Sequence, residues 1–95
     1  MYKIVRQSEG TVRQIAENKS SNNLITKDVS PNVSLATIKA TDDYYENETA
    51  LYDRIYFVLE GEFKLSINGE ANVLKKGDTC FIGKGTEYEL SLIHI

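Results

Sequence analysis

The side chains able to do chemistry in this chain are few, and most stand without the companions that chemistry requires. Asp42, Asp43, Glu46 and Glu48 fall in one short acidic run. Carboxylate oxygens at that density could hold a hard cation, but a loop that wraps such an ion is built around a glycine-containing turn, and the run has none. A solvated acidic loop is expected there. Cys80, the one cysteine, has no histidine partner to draw off its proton, and it sits in an apolar run where a buried thiol is inert. Lys75, Lys76 and Lys84 flank glycines, yet no helix start follows a glycine-rich loop. They read as turn lysines that guard strand edges rather than as a phosphate cradle. Covalent catalysis is not supported, and no catalytic residue is assigned.

What must position these residues is one small domain. A chain of 95 residues, 41% of them hydrophobic, buries only about 60–65% of its unfolded surface on folding. A single cysteine offers no disulfide to widen that margin, so help from a partner subunit is expected, in the form of a homodimer. The net charge is −3, from 11 basic and 14 acidic residues. Nucleic acid and anionic membrane surfaces are excluded as expected partners, because both need clustered Lys and Arg. The first ten residues, Met-Tyr-Lys-Ile-Val-Arg-Gln-Ser-Glu-Gly, carry no apolar signal region, and no later run is long enough to span a bilayer. The expected location is the cytoplasm.

Along the chain, residues 2–5 alternate enough for a short strand, and residues 11–17 are compatible with a strand or a helical turn. Residues 18–23 are polar and turn-rich, and read as a loop before residues 24–26. From Val33 the alternation is cleaner: Val33, Leu35 and Thr37 share one face and Ala36 and Ile38 the other, the period of a strand. The polar stretch 41–49 interrupts it. Ile55, Phe57 and Leu59 then form one apolar row and Tyr56 and Val58 the other, so this strand is expected to be covered on both faces. Glu60-Gly61-Glu62 turns the chain, and Phe63, Leu65 and Ile67 alternate with Lys64 and Ser66. Asn68-Gly69 is the dipeptide of a type I′ hairpin, whose two central residues both need positive φ. Ala71 and Val73 return, Lys76-Gly77-Asp78 turns again, and residues 79–82 form the next strand. Many short strands at near-even spacing predict an all-β antiparallel barrel or sandwich.

Val58-Leu59-Glu60-Gly61, Gly77-Asp78 and Gly83-Lys84-Gly85 set glycines at defined intervals within this hairpin series. Over about residues 45–89 the chain resembles the cupin family. That family is a jelly-roll barrel whose first motif holds two histidines, a glutamate and a closing glycine, and whose second holds a glycine, a proline-glycine turn and a histidine. Gly61 stands at the closing glycine, Gly77 opens the second motif, and Gly83 stands where proline is usual. The resemblance implies a small RmlC-like jelly roll forming one domain over residues 1–89. Phe81-Ile82-Gly83-Lys84-Gly85 is also similar to the turn of histidine-lacking accessory cupins of small-molecule catabolism, including those linked to ethanolamine utilisation.

Cupin barrels continue for one or two strands after the second motif. Here Leu90-Ser91-Leu92-Ile93-His94-Ile95 matches the translation of CTG-TCT-CTT-ATA-CAC-ATC, a transposon end used in preparing sequencing libraries. Residues 90–95 are therefore expected to be a non-native tail, His94 included, and the barrel to lack its last strands. A genuine apolar edge strand is the alternative.

In the family's register its metal-binding glutamate falls on Arg54, and its first two histidines fall on Glu48 and Ala50, or on Asn47 and Thr49 if the gap is one longer. Its last histidine falls on Tyr88. Neither set makes a divalent-metal site, because Arg has no lone pair to give and its fixed positive charge repels the ion. No metal and no cofactor are expected. The same register points Arg54, Tyr56 and Tyr88 together into the barrel mouth, with Glu48 or the Tyr44-Tyr45 pair near its rim. A planar guanidinium fork and two phenols suit a carboxylate, a phosphate or a sugar, so Arg54, Tyr56, Tyr88 and Glu48 are the candidate ligand-binding residues. The competing reading pairs Arg54 with Asp53, Glu48 or Glu60 and leaves the tyrosines as ordinary wall residues.

The function expected from this set is non-catalytic binding or sensing of a small polar or anionic molecule by a metal-free cupin domain. A metal-independent isomerase or epimerase is the alternative, but it needs a general base. Tyrosine, with an ordinary pKa of about 10, serves poorly at neutral pH unless its surroundings lower that value, which leaves Glu48. A third reading is a dimerisation module whose amino-terminal strands pair across a two-fold axis.

Overall fold

The computed structural model describes residues 1–41 and 44–93. Apart from one 3-10 turn, Gln7–Glu9, every regular element among the described residues is a strand. The chain divides into two compact units, Met1–Thr41 and Asp42–Ile95. No helix among the described residues is long and apolar enough to cross a membrane.

In the first unit, β1 (Thr11–Ala16), β2 (Lys19–Ile25) and β3 (Leu35–Ala40) form an antiparallel sheet in the order β1-β2-β3. Residues 11–17, open between strand and helix in the sequence, are thus mostly strand. The expected loop at 18–23 is corrected: all but Asn18 belong to the central strand. Ser21 lies between Arg13 and Ile38 and is buried. Ladder bonds are a backbone property, and a strand flanked on both edges can carry a polar sequence. Its asparagines add to the pairing, Asn22 Nδ2 donating to Gln7 O at 3.0 Å and Asn23 Nδ2 to Thr11 O at 3.0 Å. The strand expected at residues 2–5 does not form, since a strand needs a ladder partner and this segment has none among the described residues.

The second unit holds β4 (Tyr45–Thr49), β5 (Arg54–Phe57), β6 (Glu62–Ile67), β7 (Glu70–Lys75), β8 (Thr79–Ile82) and β9 (Glu87–Ile93). They form a four-stranded antiparallel sheet, β4-β9-β6-β7, and a two-stranded one, β5-β8. The β6–β7 hairpin closes as its dipeptide predicts. Ile67 pairs with Glu70, and Asn68 and Gly69 take φ of 54° and 78°, both in the left-handed region that a type I′ turn demands. In the Gly83-Lys84-Gly85-Thr86 turn, Thr86 N donates to Gly83 O at 3.1 Å and Gly85 sits at φ 89°. That second central position of a type II turn tolerates glycine and few others. The polar stretch 41–49, expected to interrupt the strands, instead contains β4, because β9 supplies its ladder from Thr49↔Glu87 to Tyr45↔Ser91.

The core of this unit lies between its two sheets. Leu65 and Tyr88 of the larger sheet and Ile82 of the smaller are each 1% exposed, and Leu90 and Val58 are also buried. Leu90 sits in β9 opposite both Glu46 and Leu65, while His94, like Asp42 and Asp43, lies outside the described residues. The expectation that the Ile55–Leu59 segment is covered on both faces is corrected. Tyr56 and Val58 turn inward, whereas Ile55, Phe57 and Leu59 remain exposed, because only one sheet packs against β5 within the unit. Cys80, expected to be fully enclosed, is half-buried.

If the two sheets close over Leu65, Leu65→Ala should lower the unfolding free energy by about 2–5 kcal/mol in urea titration. Val73→Ala, at a half-exposed site on β7, should cost under about 1 kcal/mol. Equal small losses would show that the space around Leu65 is not a packed interior.

Candidate functional site

Period-two geometry assembles a polar cluster inside the second unit from three strands. Glu46 and Glu48, two residues apart on β4, share a face with Leu90 and Tyr88, their ladder partners on β9. Arg54 and Tyr56, two apart on β5, face them from the smaller sheet. Tyr88 is the centre. Its hydroxyl accepts from Arg54 Nη1 at 2.7 Å and donates to Glu48 Oε2 at 2.8 Å, with Glu46 Oε1 at 3.3 Å. The Tyr56 hydroxyl lies 3.0 Å from that of Tyr88 and 3.4 Å from Glu46 Oε1. Arg54 Nη1 also reaches Glu48 Oε2 at 3.3 Å and Tyr56 Oη at 3.4 Å. The two phenol rings meet edge to face, centroids 6.1 Å apart at 66°, with the guanidinium carbon 5.9 Å from the Tyr88 ring centre.

Burial, the Tyr56 hydroxyl and the Glu48 carboxylate push the Tyr88 phenol above its ordinary value, and the Arg54 charge offsets this only in part. At Arg54 partial burial works against the charge, but the Tyr56 hydrogen bond, the two phenols and Glu48 outweigh it and hold the guanidinium above its usual value. The result is a neutral phenol clamped between a fixed cation and a carboxylate. Such a phenol can accept one hydrogen bond and donate another, but it is not a base for neutral pH. Nor does the cluster fit the metal of histidine-bearing cupins. Arg54 occupies the middle of the donor set, and the described residues hold no group of three or more His, Cys, Asp or Glu able to bind an ion.

All four residues singled out in the sequence, Glu48, Arg54, Tyr56 and Tyr88, meet here. Among the partners considered for Arg54, the geometry selects Glu48. Asp53 instead accepts from Lys84 N at 2.9 Å, tying the start of β5 to the 83–86 turn, and Glu60 pairs with Lys76 at 3.5 Å. Tyr44 is buried and donates to Glu46 Oε2, whereas Tyr45 is exposed. Glu46 is the residue that sequence reasoning placed only in an acidic loop. Its two-residue spacing from Glu48 was the available signal, and it acquires meaning only once β4 is known to be a strand. Asp42 and Asp43, the rest of that run, lie outside the described residues.

This all-β chain, with its glycine-punctuated hairpin series and a polar cluster across facing sheets, has the fold of the RmlC-like cupins. Its backbone is similar to that of an RmlC-like cupin from Shewanella frigidimarina, with a TM-score of 0.77 at 14% identity over 97% of this chain and 81% of the other. Within that superfamily, residues 3–94 match the model of the ethanolamine utilisation protein EutQ family, and the chain belongs to that family. It is similar to a putative EutQ from Salmonella typhimurium, with 30% identity and a TM-score of 0.69 over 77% of this chain and 58% of that one. An uncharacterized protein of Aquifex aeolicus is 34% identical over 85 residues, 86% of this chain and 62% of that protein. The chain thus spans about three-fifths of the length of these two relatives.

The raised Tyr88 value has a readable consequence. Below about pH 10 the phenol is protonated in both the folded and the unfolded chain. Above that the unfolded chain releases the proton while the folded one retains it, so the folded state loses stability as pH rises. Tyr88→Phe has no such proton, and its urea midpoint should fall less between about pH 8 and 10.5 than that of the parent. In alkaline absorbance titration, the last of the six tyrosines to ionise should be missing from the variant. Identical pH slopes would place Tyr88 among the ordinary exposed phenols.

Proposed function

We propose that this chain is a cupin domain that binds a small polar molecule at the Tyr88 cluster, and that the ligand is rich in hydrogen-bond donors rather than anionic. The observation that carries this reading is the charge balance of the site among the described residues: one guanidinium, Arg54, stands with two carboxylates, Glu46 and Glu48. Arg54 Nη1 already has Glu48 and two hydroxyl oxygens as acceptors, so an anion bound to this guanidinium would sit beside the Glu48 carboxylate and be repelled by it. Carboxylate oxygens and phenols instead suit ligand hydroxyl or ammonium groups, and the aromatic faces favour a cation or a sugar ring. A sugar phosphate or a carboxylate, suited to a free Arg54, is a poorer match to this arrangement. The family's name associates it with ethanolamine, a small molecule that carries one ammonium and one hydroxyl. That donor pair matches the chemistry of Glu46 and Glu48. For an isomerase role Tyr88 is poorly matched as the base, because its surroundings keep the phenol protonated at neutral pH.

Isothermal titration with ethanolamine, neutral sugars, sugar phosphates and carboxylic acids tests the proposal. Binding is expected for one of the first two classes, and Glu48→Gln should weaken it at least about ten-fold, equivalent to ~1.4 kcal/mol. Binding confined to the anions and abolished by Arg54→Ala would replace the proposal with the anion reading. No heat from any class at millimolar ligand would remove the site as a small-molecule site.

A further inference from the structure

Tyr44 stands just before β4 and is 5% exposed, and its backbone oxygen accepts from Leu92 N at 3.1 Å, so β9 holds it in place. A phenol buried to that degree needs an acceptor for its hydroxyl. It finds Glu46 Oε2, two residues further along the chain. The other oxygen of that carboxylate, Oε1, is thereby turned toward the cluster, 3.3 Å from the Tyr88 hydroxyl and 3.4 Å from that of Tyr56. Each of those phenols has one proton to give. Tyr88 has Glu48 Oε2 nearer, at 2.8 Å, and Tyr56 has the Tyr88 oxygen nearer, at 3.0 Å. The shorter contacts take the protons.

We infer that Glu46 Oε1 is the oxygen that receives the ligand's hydroxyl or ammonium group and that Tyr44 is the positioning residue that aims it, an inference that rests on the small-molecule reading of the Tyr88 cluster. A carboxylate offers about four lone-pair sites, so Glu46 can take a ligand donor while keeping its bond to Tyr44. Glu48 has a different task. Its Oε2 is committed to Tyr88 at 2.8 Å and to Arg54 at 3.3 Å, and drawing it away would uncover the guanidinium. Glu48 thus braces β4 against β5, and Glu46 selects the ligand. Selection by an aimed oxygen is sharp because the carboxylate is already ordered. A glutamate left to rotate would have to be fixed each time a ligand arrived. Length matters as well: the Glu46 side chain reaches Tyr44 with one oxygen and the two phenols with the other, and an aspartate at that position is one methylene too short to serve both.

Isothermal titration with ethanolamine and with glucose, on the whole chain and its variants, reads the result. Glu46→Gln is expected to weaken the probe that binds by at least about ten-fold and Tyr44→Phe by about three-fold, while the double variant weakens it no further than Glu46→Gln alone. That non-additivity separates aiming from packing, since a purely structural Tyr44 would add its own loss in either background. Glu46→Asp, which keeps the charge, should lose as much as Glu46→Gln. It carries the test if Tyr44→Phe fails to fold, which urea unfolding followed by circular dichroism checks. A parent chain that binds neither probe removes the ligand reading and this inference together. A parent that binds, with Glu46→Gln or Glu46→Asp binding equally well, overturns this inference alone. So does a double variant whose loss is the product of the two single ones.

Discussion

A guanidinium cannot shed its charge, and Arg54 holds one on the inward side of β5. The surrounding structure is arranged around that fact. Desolvating a fixed cation is tolerable only when acceptors stand ready, and here they come from three places: Glu48 on β4, Tyr88 on β9 and Tyr56 from the same strand. Satisfying Arg54 therefore links the two sheets of the unit by a polar contact beside the apolar one made by Leu65 and Ile82. Tyr88 is the joint, a large aromatic residue buried with the core on its ring side and hydrogen-bonded in two directions at its hydroxyl.

The same alternation that sends Arg54 and Tyr56 inward sends Ile55 and Phe57 outward, so the site and the exposed apolar face are two consequences of one four-residue strand. Shifting β5 by one residue would bury the apolar row and expel the guanidinium. Asp53 guards against that slip from one end, through its bond to the Lys84 amide. The backbone pairs of Val58 with Asp78 and Gly77 hold the other. Register is thus set by local hydrogen bonds at both ends of β5, and the central residues follow.

The chain belongs to the ethanolamine utilisation protein EutQ family, and the register of the cupin resemblance sets Arg54, Tyr88 and Glu48 at the positions where histidine-bearing cupins carry metal ligands. A guanidinium and a phenol at those positions offer hydrogen bonding, and among the described residues they stand beside two carboxylates. The Arg54 charge makes the cluster unfit for a metal, while the donor-rich ligand proposed for it rests on Glu46 and Glu48.

Turn chemistry and alternation were legible in the sequence, because both are set by a few neighbouring residues. Asn68-Gly69 predicts its hairpin, Gly85 its turn, and residues 63–67 their strand, since left-handed φ and period two are local requirements. The glycine spacing carried the fold, and the register it implied brought Glu48, Arg54, Tyr56 and Tyr88 to one place. What tertiary structure alone decided were matters of pairing. The polar segments that became β2 and β4 are strands because neighbours offer ladders on their edges, a cooperation that no local window contains. For the same reason Glu46 joins the site, Glu48 rather than Asp53 or Glu60 meets Arg54, and one face of β5 is left uncovered. Each depends on which distant strand lies alongside, and that is settled only when the whole unit closes on its core.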